Sequence, residues 1–402
     1  MNSLERRAVA SIAALYGLRM LGLFMVLPVL SLYAADYAFS TPALIGFAIG
    51  SYGLMQALLQ LPLGYLSDRI GRKQIIIAGL LLFSAGSLLA GSADNIYQLI
   101  AGRCLQGSGA IASALMALLS DLTRDEQRTK AMAMVGGSIG LSFAVALVAG
   151  PIVTAAYGLA GLFYLTAAMA AFGILLVVFV VPAPPGNVAS HTISLRESFA
   201  YSAREPQLMR LNLSAFILHF ILTASFFVIP HLLLEQLDMA VKDHWKVYFG
   251  VLLGSLLLML PAILYGEKRQ RTKQVMQAAV IILVLVELGL AAGLQSSVAL
   301  LLLVLMFFAA FNLLEANLPS QISKRTQPAM KGAAMGLFAS FQFSGAFVGG
   351  WSSGYMYGEF GQTGVYLLCA GLALSWLLVL NQWQATPVGM PGANIASRKA
   401  EI

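Results

Sequence analysis

A short polar stretch, Gly64-Tyr-Leu-Ser-Asp-Arg-Ile-Gly-Arg-Lys73, lies between two apolar runs of the chain. The chain is 59% hydrophobic and only 10% charged, so four charged side chains in one short connection are unusual. A connection between membrane helices needs only turn-forming residues and positive charge. That need does not explain the carboxylate of Asp68 or the two glycines. The pattern G-x-x-x-D-R-x-G-R-K therefore indicates a connection with a specific role.

The composition of the 402-residue chain indicates a membrane protein, because a mean hydropathy of +0.82 and 22 Phe beside 17 Met exceed what a water-soluble core would bury. Apolar runs of about 20 residues, enough for a helix to cross about 30 Å of hydrocarbon, recur about twelve times. We predict spans at 8–33, 42–66, 74–92, 95–120, 130–157, 160–182, 207–235, 243–267, 273–294, 298–321, 332–357 and 361–384. The predicted fold class is an all-α membrane protein.

The net charge of +7 does not indicate a nucleic-acid-binding protein, because the basic residues are dispersed over short connections without interleaved aromatic residues. If alternate connections face one side of the membrane, all but four of the 24 Lys and Arg residues lie on that side. The exceptions are Lys242 and Lys246 on the other side, and Arg19 and Arg103 inside spans. This bias places both termini in the cytoplasm.

The first span gives no indication of a removed signal peptide, and the two cysteines give no indication of a metal or cofactor site. The first span is too long for a removed signal peptide and lacks a small-residue cleavage site, so we expect it to be retained. Cys104 and Cys369 both fall inside predicted spans and are interpreted as packing residues. We expect no metal and no cofactor, and no further domain after the tail.

The longest polar interruption contains Pro184, Pro185 and Gly186 and divides the predicted spans six and six. We predict an N-terminal bundle at 1–182, a cytoplasmic linker at 183–206, a C-terminal bundle at 207–385 and a cytoplasmic tail at 386–402. A shift of 199 residues superposes Asp68 on Glu267 and Arg72 on Arg271, which indicates an internal repeat. Chance similarity between apolar helices is the alternative.

An arginine lies inside the predicted fourth span, in Leu99-Ile-Ala-Gly-Arg-Cys-Leu-Gln-Gly-Ser-Gly-Ala110. An arginine at membrane depth is costly, so Arg103 is expected to face a cavity or a partner. Snorkelling to an interface is the alternative. Gly107 and Gly109 allow another helix to approach closely.

The fifth span contains Gly150-Pro151, and the first contains Leu21-Gly22 and Pro28. Together with the two stretches above, these residues resemble the motifs of the major facilitator superfamily. The fifth-span motif is similar to that of drug/proton antiporters, although Ala146 replaces its first glycine. The resemblance implies twelve transmembrane helices in two pseudo-symmetric six-helix bundles, in a multi-pass protein of the bacterial inner membrane.

The resemblance also implies a role for the polar stretch as a conformational latch that holds the cytoplasmic side closed. Gly64 would lie against the eleventh span, and Arg72 would pair with Asp121 below the fourth span. The residues of this predicted latch are Gly64, Asp68, Arg69, Gly71, Arg72, Lys73 and Asp121. The predicted helix-packing residues are Gly107, Gly109, Gly150 and Pro151. A solvated loop is the alternative for the cations alone.

Buried ionisable residues are the natural candidates for proton coupling. By analogy with the superfamily, the central cavity is lined by spans one, four, seven and ten. This favours Arg19, Arg103, His219 and Glu315. We predict that Glu315 takes and releases the proton, with His219 as second candidate because a histidine titrates near neutral pH. A static ion pair between Glu315 and an arginine is the alternative. Glu287 is expected to be structural.

Apolar and polar side chains on the same spans are candidates for the substrate cavity, because aromatic and methionine walls can repack around varied ligands. These candidates are Tyr16, Phe24, Met25, Met116, Phe220, Phe226, Phe227 and Asn312. Ordinary helix packing explains each of the apolar side chains equally well.

The predicted function is secondary active transport, with proton-coupled efflux of small amphipathic or cationic molecules by a monomer. The expected partners are a small-molecule substrate, protons and the lipid bilayer, without nucleic acid. The chain has no G-x-x-x-x-G-K-[ST] motif for binding ATP. The sequence also offers no nucleophile elbow or metal-spaced cluster, so an enzyme is not expected. Export of a metabolite, sugar or siderophore, and a receptor without flux, remain alternatives.

Overall fold

The computed structural model describes residues 1–182, 201–327 and 330–384, and within these ranges the chain is almost entirely helical. The helices are α1 (Ser3–Phe24), α2 (Leu30–Tyr33), α3 (Pro42–Ile70), α4 (Arg72–Gly91), α5 (Ile96–Ser108), α6 (Ala112–Asp121), α7 (Asp125–Leu175), α8 (Pro206–Glu235), α9 (His244–Lys268), α10 (Thr272–Ala291), α11 (Ser297–Arg325) and α12 (Lys331–Gln382). Residues 183–200 of the predicted linker, with Arg196, and the predicted tail at 386–402 lie outside the described residues.

These helices make twelve passages through the predicted membrane. In the described part of the chain, 9 helical segments are long and apolar enough to span a bilayer. Two of them are double passages, because α7 turns at Gly158 (φ 69°) and α12 turns at Gly361 (φ 63°). Glycine adopts such positive φ values at little cost. The fourth passage is divided between α5 and α6. The predicted all-α fold is confirmed.

Side-chain caps begin several of the helices. Asn2 and Glu5 form a capping box at α1, in which each side chain bonds the other residue's backbone N–H. Thr41 accepts a hydrogen bond from Leu44 N at the start of α3, where Pro42 occupies the first turn. Such caps satisfy backbone donors that have no partner inside the helix. They therefore fix where these two passages begin.

Two predicted spans contain breaks that the apolar pattern does not reveal. The first passage leaves regular helix between α1 and α2, around Pro28, whose ring removes a backbone donor. The fourth passage is interrupted at residues 109–111, between α5 and α6. Carbonyl groups at and beside this second break accept hydrogen bonds from side chains of other helices. The break in the fourth passage is therefore a place where polar side chains converge.

The first compact unit comprises residues 1–182 with residues 226–249 and 350–358. Its core contains fully buried apolar side chains such as Ile12, Leu115 and Leu118. Residues 350–358 join it because glycines allow a close helix contact: a Cβ on Gly354 would lie 2.2 Å from Pro42 O. The predicted N-terminal half thus packs together with two segments assigned from sequence to the C-terminal half.

The second compact unit comprises the other described residues, 201–225, 250–327, 330–349 and 359–384. Its core is built from large apolar side chains, among them Phe307 and Phe308 on α11 and Trp376 on α12, all fully buried. Small residues again allow close approach, since a Cβ on Gly345 would lie 2.1 Å from Phe216 O. A side chain larger than hydrogen at Gly345 would therefore require the two helices of this contact to move apart.

In each half of the repeat, side chains near the start of two helices form hydrogen bonds with backbone groups at the end of that half's last helix. In the first unit, Arg7 Nε donates to Val180 O at 2.9 Å, and Lys73 Nζ donates to Val181 O at 2.5 Å. In the second unit, Lys273 Nζ donates to Asn381 O at 2.7 Å. Gln207 Oε1 there accepts from Gln384 N at 3.0 Å. Lys73 and Lys273 are each the second residue of their helices, and Arg7 and Gln207 lie in the first two turns of α1 and α8. The contacts therefore agree with the repeat that the sequence indicated.

Candidate functional site

The predicted latch is an ionic cluster where three helices end or begin. Asp68 lies in the last turn of α3, Arg72 opens α4, and Asp121 ends α6. Arg72 Nε is 3.1 Å from Asp121 Oδ2, and Arg72 also forms an ion pair with Asp68. Its Nη1 donates to Ser67 Oγ at 2.8 Å. The structure brings together the predicted pair Arg72 and Asp121, whose side chains are 11% and 6% exposed.

The remaining latch residues also make contacts inside the first unit. Gly71 has a φ of 121°, which favours glycine, and it separates α3 from α4. Gly64 lies against Ser113 of α6, where an added Cβ would approach the serine Cβ to 2.9 Å. Arg69 lies 4.6 Å above the Tyr65 ring. Gly71 thus shapes the α3–α4 turn and Gly64 packs against α6, whereas the role of Gly64 toward the eleventh span stays a prediction.

The two arginines predicted to lie inside spans are both buried in the first unit, and both contact Tyr52. Arg103 Nη1 donates to Gln106 Oε1 at 2.9 Å, and its guanidinium lies 5.1 Å from the Tyr52 ring centre. Arg19 Nη2 donates to Tyr52 Oη at 3.0 Å and to Gly109 O at 3.0 Å. At 1% and 3% exposure, neither arginine snorkels to an interface.

The predicted packing glycines are places of close helix contact. A Cβ on Gly107 would lie 2.4 Å from Tyr52 O, and one on Gly109 would lie 2.3 Å from Gly79 O. On α7, a Cβ on Gly150 would lie 2.5 Å from Met25 O, one residue before Pro151. Side chains at these positions would push helices apart, so their small size is a structural requirement of the first unit.

The two predicted proton-coupling residues meet in the second unit. His219 Nε2 on α8 lies 3.7 Å from Glu315 Oε2 on α11. Gln342 on α12 has its amide nitrogen 3.1 Å from Glu315 Oε1 and 3.2 Å from His219 Nε2. Within the described residues the basic side chain within 4.0 Å of Glu315 is this histidine, which forms an ion pair only when protonated, and the arginine weighed as an alternative is not found there. Gln342 therefore joins the two candidates into one cluster.

Sequence reasoning missed Gln342, although a signal was present. The residue is an amide in a long apolar helix, where a buried polar group needs a hydrogen-bond partner. Asn312, which shares a helix face with Glu315, instead donates to Ser255 Oγ at 2.9 Å. Asn312 is therefore tied to α9, and Gln342 is the amide that contacts the carboxylate.

A second carboxyl group, Glu287 on α10, is completely buried in the same unit. Its Oε1 accepts a hydrogen bond from Ser225 Oγ at 3.2 Å. The hydroxyl is a neutral donor, so the contact suits a carboxyl group that is held in place within the packing. The structural role predicted for Glu287 stays a prediction.

The predicted cavity residues divide by exposure. Met25, Phe220, Phe226 and Phe227 are at most 4% exposed, and the ring centroids of Phe226 and Tyr248 are 6.1 Å apart. This burial fits helix packing. The partly exposed members are Tyr16, Phe24, Met116 and Asn312. Of the eight candidates, these four keep substantial accessible surface, and their role in a substrate cavity stays a prediction.

The chain belongs to the Major Facilitator Superfamily, whose model matches residues 12–349. This family assignment agrees with the helices and motifs described above. It is 44% identical over 407 residues to the inner membrane transport protein YajR of Escherichia coli strain K12, over 98% of this chain and 88% of that protein. The chain is thus a multi-pass inner-membrane transporter of this superfamily, whose members are not enzymes.

Two further comparisons are more distant. The tetracycline resistance protein, class B, of Escherichia coli is 31% identical over 136 residues, which is 33% of each chain. The crystal structure of a D-xylose-proton symporter superposes with a TM-score of 0.73 at 16% identity, covering 95% of this chain and 98% of that one. The structural likeness shows the fold alone.

Proposed function

We propose that the chain is a proton-coupled exporter of small amphipathic or cationic molecules that works by antiport and alternating access. The observation that carries this proposal is the cluster of Glu315, His219 and Gln342. A carboxylate, an imidazole and an amide on three different helices form a group that can change its proton content and its geometry together.

The hydrogen bonds of His219 support a specific route of proton uptake within this proposal. Its Nδ1 lies 3.1 Å from Ala215 O, an acceptor, so Nδ1 carries a hydrogen and Nε2 of the neutral ring has a lone pair. That lone pair accepts from the Gln342 amide. An incoming proton on Nε2 would replace the Gln342 contact with an ion pair to Glu315. A proton on Glu315 would instead weaken the attraction between α8 and α11.

Transport in the direction of export is supported by a relative that matches one part of this chain. The tetracycline resistance protein is by name a resistance protein, and its likeness covers 33% of this chain. The fifth-span motif around Gly150 and Pro151, similar to that of antiporters, points the same way. We therefore propose export, with the site on Glu315 exchanging a proton for a substrate during each cycle.

The ionic cluster of Asp68, Arg72 and Asp121 is proposed to be the latch of the cytoplasmic side. This assignment takes both termini as cytoplasmic, which follows from the distribution of basic residues. The cluster connects the ends of three helices through charge-assisted hydrogen bonds. A change in the positions of α3 and α6 would break these bonds, so the cluster favours one arrangement of the cytoplasmic ends.

The experiment that tests the proposal uses purified protein in sealed proteoliposomes. A ligand is first found by a thermal-stabilisation screen of amphipathic compounds, and its movement is then followed while a pH gradient is imposed. Proton-coupled export predicts that the gradient drives accumulation and that an ionophore abolishes it. Binding without any flux would favour the receptor alternative, and flux that ignores the gradient would contradict proton coupling.

A further inference from the structure

Arg19 has two guanidinium nitrogens without a hydrogen-bond partner, although its side chain is buried. Nη2 is fully used, with acceptors on Tyr52 and Gly109. Nε and Nη1 have no partner among the described residues. Arg103 differs, because all of its guanidinium nitrogens have an acceptor: Nη1 has Gln106 Oε1, and Nε and Nη2 have the backbone carbonyl oxygens of α3. Arg19 is therefore the arginine with unused binding capacity.

The charge of Arg19 is also uncompensated. Within the described part of the chain, no carboxylate lies within 4.0 Å of Arg19, whereas Arg72 has two such partners and Arg124 has one. Burying a guanidinium without a counter-charge is expensive, and a water molecule would satisfy its N–H groups without neutralising it. An anionic group that binds Nε and Nη1 side by side would supply both missing elements.

A second buried side chain with an unused polar atom binds the same break as Arg19. Arg19 reaches from α1 to the break at residues 109–111, and Gln56 reaches the same region from α3, with its Nε2 donating to Gly107 O at 2.8 Å. The Gln56 Oε1 atom has no partner in the described residues. The two side chains that bind the break therefore carry two unused donor nitrogens, on Arg19, and one unused acceptor oxygen, on Gln56.

We propose that Arg19 binds the acid group, a carboxylate in the first instance, of the transported molecule. This inference rests on the proposed function and narrows its substrate class to amphipathic molecules that carry an acid group. Gln56 Oε1 then accepts from an O–H or N–H group of the same molecule. Both nitrogens of Arg19 are shielded from solvent in this structure. The acid therefore reaches them in an arrangement in which α1 and the α5–α6 break are further apart.

The test measures binding of defined acids to the full-length protein in nanodiscs. The probes are carboxylates from acetate to naphthoate, each compared with its neutral amide, by calorimetric titration. We expect at least one carboxylate to bind about tenfold more tightly than its amide. Equal affinity of every acid and amide would overturn the proposal. Displacement of the acid by chloride at the same concentration would overturn it too, because the site would then take any small anion.

Variants of the protein test whether Arg19 causes the preference for a carboxylate over its neutral amide. Arg19→Gln is expected to abolish the preference for acid over amide, and Arg19→Lys to keep part of it, because lysine keeps the charge without the planar fork. Arg124→Gln, which makes the same change in net charge at an exposed arginine, is the control and should leave it unchanged. An undiminished preference in Arg19→Gln contradicts the proposal. If Arg19→Gln does not fold, the Arg19→Lys result decides by the same criterion.

Binding and transport separate this inference from the proposed function. If acids bind through Arg19 but show no gradient-driven flux, the result would support the acid-binding site and contradict the proposed export. If neutral or cationic molecules show gradient-driven flux and binding shows no preference for acids, the result would contradict the acid-binding site and support the proposed export.

Discussion

Gln342 Nε2 donates a hydrogen bond of 3.1 Å to Glu315 Oε1, across 27 positions of the chain. The same amide nitrogen lies 3.2 Å from His219 Nε2. One amide thus contacts both titratable groups of the cluster, and under the proposed function its position would change with the group that holds the proton. The contact joins side chains of α8, α11 and α12 in one cluster.

Removal of that amide is expected to disturb coupling more than folding. Gln342→Leu should keep the helix and most of the packing while removing a contact worth about 1.5–3 kcal/mol, the range for a hydrogen bond to a charged group. We expect gradient-driven transport to fall about tenfold or more, with an altered pH dependence. Gln342→Glu, which keeps the length but cannot donate when ionised, should be similarly impaired. A Gln342→Leu protein with the wild-type pH profile would contradict the role given to this amide.

Loss of the latch pair is expected to abolish transport while the protein still inserts. Arg72→Ala leaves Asp68 and Asp121 without their shared partner, and Asp68→Asn removes one of the two carboxylates. Flux in proteoliposomes and membrane abundance measure the two effects separately. Lys324→Ala is the matched control, because Lys324 and Glu267 form an ion pair between two helix ends of the second unit, 3.2 Å apart and about half exposed. An exposed pair contributes about 1 kcal/mol or less, so its loss should be nearly silent. Wild-type flux in Arg72→Ala would exclude the latch.

The glycine contact inside the first unit gives a stability prediction. Gly354→Ala places a Cβ 2.2 Å from Pro42 O, a backbone atom that cannot move without shifting α3. Overpacking of this kind costs about 1–3 kcal/mol, so the thermal midpoint of the detergent-purified protein should fall. Gly371→Ala lies on the same helix with no atom within 4 Å of the added Cβ, and it should be neutral or slightly stabilising. Equal midpoints for the two variants would show that the contact is not tight.

The buried carboxyl of Glu287 provides the contrast to Glu315. Glu287→Gln keeps an acceptor for the Ser225 hydroxyl at nearly the same volume. We expect gradient-driven flux within about twofold of wild type, a difference of less than 1 kcal/mol. Transport by Glu287→Gln that no longer responds to the pH gradient would make Glu287, rather than Glu315, the coupling residue.

The sequence predicted the features that depend on local pattern. Apolar length placed the spans, and the polar stretch at Gly64–Lys73 predicted the pairing of Arg72 with Asp121 once the family resemblance was used. Caps such as Thr41 mark helix ends that the apolar pattern alone leaves uncertain.

Features that depend on three-dimensional approach were not predictable in this way. Gln342 and His219 are 123 positions apart, and nothing in either helix alone indicates their contact. The break at 109–111 is similar, because Arg19 and Gln56 stabilise it from other helices through carbonyl groups. A polar residue in an apolar span predicts that some partner exists, whereas the identity of that partner depends on packing.

The measurement that tests the central claim most directly compares two transport modes of Glu315→Gln in proteoliposomes. The account predicts that substrate exchange without a gradient continues, because binding and alternating access remain, while accumulation driven by a pH gradient is lost. Accumulation at the wild-type level in Glu315→Gln, with unchanged pH dependence, would contradict the claim that Glu315 couples proton movement to transport.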